Sequence, residues 1–289
     1  MNISVRRGQP QDSPECGRIC HAAFAAIANA HNFRPDFPDA AVAEGIVGMM
    51  LTHPEFFAVV AERDGEIVGS NFLDERNTIS GVGPITIDPK VQSSGIGGRL
   101  MHAVMQRSDA QGFAGIRLVQ AGYNFRSLSL YLKLGFNVRE HLSCVQGPAI
   151  NAPVDGYAVR PATDAAGGAD LAACTQLCAR VHGHTRAGEV RDAISLGAAS
   201  VVERDGRITG YTTGIAFFGH TVCETTDDLK ALISAARSIE GPGFLAPSGN
   251  GELLRWCFAK GLRIKQTMTL MSMGLYNEPA GAYLCSVTY

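Results

Sequence analysis

The chain has 289 residues and a mass of 30.6 kDa, enough for about two domains. With 46% hydrophobic and 18% charged residues it holds the material for ordinary cores, which excludes disorder as its main state. A formal charge of −2 and a pI near 6.4 point to neither nucleic acid nor an anionic membrane as a partner.

The opening residues 1–7 turn charged before any apolar run can form, so no signal peptide is read there. The longest stretch free of Asp, Glu, Lys and Arg, residues 208–223, is interrupted by Thr, Gly and His220 and falls short of a membrane span. The expectation is a cytoplasmic protein. Eight Cys in a chain of this length need no disulfide framework. Cys16 with Cys20, and Cys174 with Cys178, repeat one helical spacing, but neither couple has a second pair or a histidine at finger spacing. They read as buried thiols, no metal is expected, and His182 and His184 read as turn residues.

In chain order the first half opens on a strand at 4–7 and two helices over 13–30 and 39–51. Two apolar runs at 56–62 and 67–73 flank Arg63-Asp64-Gly65-Glu66, a hairpin signal because Asp and Gly tolerate the positive φ of a tight primed turn. A strand over 82–87 stops before Pro89, a helix follows over 95–110, then a strand over 115–120 and a helix over 127–134. Residues 137–145 are expected as a last strand at the domain edge. A hairpin in front and strand–helix alternation behind predict an α/β fold, a mixed sheet covered by helices.

The hairpin phrase recurs as Val201-Val202-Glu203-Arg204-Asp205-Gly206-Arg207-Ile208-Thr209-Gly210. Each copy follows a strand-like opening, residues 4–7 in one and 158–161 in the other. Each precedes a matched ending, in which Asn124, Leu128, Gly135 and Phe136 correspond to Asn250, Leu254, Gly261 and Leu262. Three matches in one order argue for an internal duplication. The expected division is a domain over 1–147, a linker over 148–153 with two prolines and no charge, and a second domain over 154–289. The second copy is shorter between hairpin and ending by about four helical turns' worth of chain.

The most informative phrase is Ile85-Thr86-Ile87-Asp88-Pro89-Lys90-Val91-Gln92-Ser93-Ser94-Gly95-Ile96-Gly97-Gly98-Arg99-Leu100. A strand stops and a helix begins amid small residues, so free backbone amides can meet a phosphate closely; a glycine-rich turn with nothing bound is the alternative. The nucleotide-triphosphate loop is excluded because Gly-Lys-Ser/Thr is absent. The dinucleotide fingerprint fails because Leu100 replaces its third glycine and Asp88 to Ser94 separate strand from helix.

Gln92-Ser93-Ser94-Gly95-Ile96-Gly97, followed after the next strand by Asn124, Ser127, Tyr131 and Gly135-Phe136, resembles the GNAT superfamily of acyl-CoA-dependent N-acetyltransferases. Ser127 stands where Ala is commoner in that family. The resemblance covers residues 1–147 and implies two GNAT-like domains, each with a mixed, mostly antiparallel central sheet flanked by helices. It implies acetyl-CoA as acyl donor. Pantetheine would lie between splayed strands at 82–87 and 115–120 and bond to the backbone of Ile85, Thr86 and Ile87. The pyrophosphate would lie over Gln92, Ser93, Ser94, Gly95, Ile96, Gly97 and Gly98, with Asn124 and Ser127 contributing. Seven Lys and Arg against three Asp and Glu across 81–140 suit a polyphosphate ligand, although most could equally be solvated helix faces.

By the same resemblance an amine attacks the thioester directly, a backbone amide near Ile87 steadies the oxyanion, and Tyr131 protonates the leaving sulfur. Tyr131 could otherwise be a core aromatic. Glu62 is the base named, with Asp74 and Glu75 as others, and all three read equally as solvated turn charges. His31-Asn32-Phe33-Arg34-Pro35-Asp36-Phe37-Pro38-Asp39 offers aromatic surface and counter-charges for an amine acceptor, or simply tucks two Phe into the core. A Ser or Cys hydrolase is excluded by the absence of G-x-S-x-G and of an activated Cys context.

The second half lacks the glycine loop, carries Asp227 and Asp228 where a pyrophosphate would meet like charge, and has Cys257 at the place of Tyr131. It is expected to bind no CoA, to pack on the first half and to shape the acceptor site, with Trp256 in the core. The reading is an N-acetyltransferase acting on a small-molecule amine or amino acid, monomeric or homodimeric, with no nucleic-acid or membrane partner. A non-catalytic CoA- or small-molecule-sensing module and a protein or peptide N-acetyltransferase are the alternatives.

Overall fold

The computed structural model describes residues 3–91, 95–165 and 167–288. The first half runs β1 (Ile3–Arg7), α1 (Ser13–Ala30), α2 (Ala40–Thr52), β2 (Phe56–Arg63), β3 (Glu66–Asp74), β4 (Ile79–Val82), β5 (Thr86–Ile87), α3 (Ile96–Gln111), β6 (Gly115–Ala121), α4 (Phe125–Lys133) and β7 (Asn137–Gln146). The second runs β8 (Ala158–Pro161), α5 (Ala169–His182), α6 (Ala187–Ser195), β9 (Ser200–Arg204), β10 (Arg207–Thr212), β11 (Thr221–Cys223), α7 (Thr226–Ala235), β12 (Phe244–Pro247), α8 (Gly251–Ala259), β13 (Arg263–Gly274) and β14 (Ala282–Leu284). No helix among the described residues is long and apolar enough to cross a membrane.

Local chemistry sets these bounds. Pro14 opens α1, and Asp39 caps α2 by accepting from Val42 N at 3.0 Å. Both hairpins turn on an Asp-Gly pair in the left-handed region, with φ of 54° and 91° at Asp64 and Gly65 and 53° and 74° at Asp205 and Gly206. The near-continuous apolar run in β2 serves two cores. Phe56, Ala58 and Val60 face α1 and α2, while Val59 and Ala61 face α3 and α4.

The larger sheet has the order β1-β2-β3-β4-β6-β13-β7-β12, with β5 paired to β3, and the smaller is β14-β11-β10-β9-β8. Among the strands of the described residues only β4 and β6 pair in parallel, and an isolated bridge between Ala216 and Glu240 is parallel as well. The segment expected at a domain edge, β7, instead lies in the interior of the larger sheet, between β13 and β12. Each half thus sends its closing strand across the other: β13 inserts between β6 and β7, and β7 between β13 and β12. Exchanging the halves turns β6-β13-β7-β12 into the same order read backwards. A bridge between Leu245 and Cys285 carries the pairing on to the smaller sheet.

A polar seam joins the halves elsewhere. Arg76, just past β3, pairs with Asp74 and reaches Asp192 of α6 at 2.9 Å, while Asn77 donates to Glu189 at 3.2 Å. Arg186 pairs with Glu189 at 2.6 Å, and His220 lies 3.7 Å from the same carboxylate. His182 and His184, expected in a turn, are buried beside this seam, with His182 edge-on to Tyr283. All eight cysteines are free and buried, and burial pushes the Cys16 and Cys20 thiols up to about 12.

Candidate active site

The central cleft follows from where pairing stops. β4 and β6 are paired from Ile79 with Gly115 to Gly81 with Arg117, and no further. Beyond that point β5 pairs only with β3, through Gly69 with Ile87 and Ser70 with Thr86. The 82–87 segment, expected as one strand, is therefore two. Its second piece leaves an unpaired edge facing the end of β6, and the resulting cavity is about 700 Å³. Asp88 donates its N–H to Val68 at 2.9 Å, on the β3 side. The alternation of strand backbone then turns the Ile87 N–H toward the cavity.

The cavity continues to the start of α3. Gly95 precedes that helix in the left-handed region at φ 78°, and no side chain among the described residues caps the first turn. A Cβ added at Gly98 would meet nothing within 4 Å, whereas one at Gly97 would meet Ile87 Cδ1 at 3.2 Å. Gly97 thus lets β5 approach α3, and Gly95 and Gly98 leave the helix start open. Ile85, Thr86, Ile87, Gly95, Ile96, Gly97, Gly98, Asn124, Ser127 and Tyr131 all line the one cavity. Gln92, Ser93 and Ser94 lie outside the described residues.

On the opposite wall, α4 is capped by Asn124, whose side chain accepts from Ser127 N at 3.2 Å. Tyr131 follows two turns later, 5% exposed and edge-on to Phe136. Burial raises its phenol further above the ordinary value, so it is a neutral donor at pH 7. Gln120 was missed in the sequence. Its amide accepts from Ser127 Oγ at 2.8 Å and lines the cavity, and its Nε2 has no partner among the described residues.

The carboxylates sort differently from expectation. Glu62, expected as the base, does not line the cavity; it accepts from Arg6 Nε at 2.6 Å, and the same guanidinium binds Asp12 at 2.8 Å. The second half repeats this arrangement, with Arg160 between Asp170 and Glu203 at 2.6 and 2.9 Å. A triad kept in both halves is a fixture of the fold, so the base assignment for Glu62 is withdrawn. Asp74 is committed to Arg76, and Glu75 to Arg107 at 2.6 Å. Asp39 is the α2 cap.

The remaining carboxylate, Asp36, does line the cavity. It accepts from Gln266 Nε2 of β13 at 3.1 Å, and burial raises its pKa above the usual carboxylate range. Tyr123 lies near enough for that charge to oppose its ionisation, and burial with that charge pushes the phenol up to about 12. Phe33 stacks on Tyr123 at 4.3 Å, and Phe37 packs edge-on to Phe24 at 5.3 Å. The far wall comes from the second half, including Phe217, Phe218, Pro242 and Val287.

The class of protein follows from comparison with known ones. Residues 24–136 match the model of the Acetyltransferase (GNAT) family. The fold is shared along nearly the whole length. A candidate acetyltransferase from Pyrococcus horikoshii superposes with a TM-score of 0.71 at 16% identity, covering 97% of this chain and 94% of its own. A GCN5-related N-acetyltransferase from Sphaerobacter thermophilus gives 0.62 at 16% identity, covering 96% of each chain. A tandem GNAT protein from the clavulanic acid biosynthesis pathway gives 0.56 at 12% identity, covering 94% of this chain and 98% of its own. No curated protein matches the chain at a significant level.

Proposed function

We propose that the protein transfers an acetyl group from acetyl-CoA to a primary amine. The observation that carries this reading is the unpaired edge of β5, continuous with the open glycine start of α3 and faced by Tyr131 across one cavity. An extended amide-bearing chain such as pantetheine can bond to such an edge as an added strand does. A pyrophosphate suits a helix start whose amides carry no cap. The Nε2 of Gln120 supplies a donor for an amide carbonyl along the same path.

The amine nitrogen attacks the thioester carbonyl carbon, and the carbonyl oxygen takes up negative charge facing the Ile87 N–H. The intermediate collapses by breaking the C–S bond, and the thiolate takes a proton from the Tyr131 phenol. Asp36 takes one proton from the bound ammonium, which frees the lone pair for attack; the nitrogen loses its second proton to solvent as the intermediate collapses, and solvent returns a proton to the Tyr131 phenolate. The raised pKa of Asp36 brings it nearer to that task than an exposed carboxylate would be. The amide product and CoA leave with all atoms accounted for.

Calorimetric titration with acetyl-CoA tests the reading. One site per chain, lost in Gly98→Glu, is the expected outcome; that variant adds charge where a Cβ has open space. Absence of binding to folded wild-type protein overturns the reading. Binding without thiol release on any amine would favour the sensing module over the enzyme.

A further inference from the structure

The cavity has two ends of different chemistry. One carries the β5 edge and the glycine start of α3. The other is bounded by α1, the connection into α2, and the second half, with Phe24, Ile27, Phe37, Phe217, Phe218 and Val287 among its walls. Among the described residues, Asp36 is the one charged group that this end contributes; no Lys, Arg or His from these segments lines it. The charge of Asp36 reaches the Cys20 and Cys144 thiols and the Tyr123 phenol and opposes their ionisation.

We infer that the acceptor is a monoamine with an apolar body, an arylalkyl or straight-chain alkyl amine, held by its ammonium on Asp36 and by its hydrocarbon on walls that the second half completes. This inference rests on the acetyltransferase reading and names its acceptor. A carboxylate set among apolar walls is costly unless a cation meets it, and an ammonium beside the Tyr123 face gains from the ring as well. A longer acyl chain on the donor would fill the same hydrocarbon surface but would leave Asp36 unmatched. An amino acid would bring its own carboxylate beside Asp36, where the one Arg lining the cavity, Arg126, stands on α4 and not on α1, the connection into α2 or the second half, and a polyamine would bring further charges into apolar walls. Gln266 acts as a positioning residue: reaching from the exchanged strand, it fixes the Asp36 oxygen.

The test uses the full chain with acetyl-CoA and compares thiol release on phenylethylamine, butylamine, hexylamine, phenylalanine and spermidine. Phenylethylamine and hexylamine are expected to exceed phenylalanine and spermidine in kcat/KM by at least about tenfold. Each methylene from butyl to hexyl should add roughly two- to fourfold. Asp36→Asn should raise the amine KM by about tenfold or more and leave acetyl-CoA affinity unchanged; Gln266→Leu should shift it the same way by less. Phe218→Ala, at a 40% exposed side chain, should flatten the chain-length dependence while the fold persists. Preference for spermidine or phenylalanine, or an unchanged amine KM in Asp36→Asn, overturns the inference while acetyl-CoA binding keeps the acetyltransferase reading standing. Failure to bind acetyl-CoA removes both.

Discussion

The two helices that follow the hairpin sheets, α3 and α7, begin in opposite ways. Residues 83–95 lie between β4 and α3, and the helix starts on a left-handed glycine with no side-chain cap among the described residues. Only Glu224 and Thr225 lie between β11 and α7, and that helix is closed on itself. Thr225 accepts from Asp228 N, and Asp228, fully buried, accepts from Thr225 N at 2.9 Å and from Thr209 Oγ1 at 2.5 Å. The same backbone need is met by the protein's own carboxylate in one half and by no side chain among the described residues in the other. An anion-binding helix start is thus defined by what the sequence withholds.

Charge placed on each helix start should separate these roles most strongly. Gly98→Glu is expected to weaken acetyl-CoA binding by at least about 100-fold, whereas Asp228→Ala should leave it unchanged and cost about 2–3 kcal/mol in urea unfolding. The paired positions on α4 and α8 come next. Tyr131→Phe should lower kcat by about 100-fold with acetyl-CoA affinity retained, and Cys257→Ala at the matching position should not change turnover.

The halves also differ in acid. His184 and His220 are buried in the second half and their pKa values are pushed down to about 4. Because the unfolded imidazole titrates near 6.5, the unfolded chain takes up these protons first. Their contribution to stability is present above about pH 6.5 and lost as the pH falls toward 4. Denaturation at pH 7 and pH 5 should differ by on the order of 1–2 kcal/mol per histidine, and Asp74, whose pKa is raised by burial, returns part of this. The smallest effect is expected at the two Asn caps. Asn124→Ala and Asn250→Ala should each lose about 1 kcal/mol of stability, and only the first should touch activity.

What could be read from sequence was what is local. The helix expected over 13–30 is α1, because Pro14 and the spacing of Cys16, Ile19 and Cys20 are set within the segment itself. The loop, Asn124 and Tyr131 were legible as a motif on consecutive elements. Glu62 was misread because a carboxylate beside a hairpin looks free until Arg6, on another strand, is placed against it. The duplication held the missing signal: Glu203 and Arg160 keep the same pair in the half without a cofactor loop, so the pair cannot belong to the cofactor. Asp36 was visible as a counter-charge, but its partner Gln266 is separated from it by most of the chain. The exchange of β7 and β13 left no mark, since an alternating strand shows the same pattern whichever neighbours it takes.

That exchange sets a timetable for biosynthesis. When β7 has left the ribosome, the strand that must sit between it and β6, Arg263–Gly274, has not been translated. At about 5–20 residues per second, the nascent first half waits roughly ten seconds with its cleft unfinished and two edges bare. The first half is therefore completed only once β13 of the second half has been made, so a ribosome that stalls between the halves releases a first half that lacks this strand.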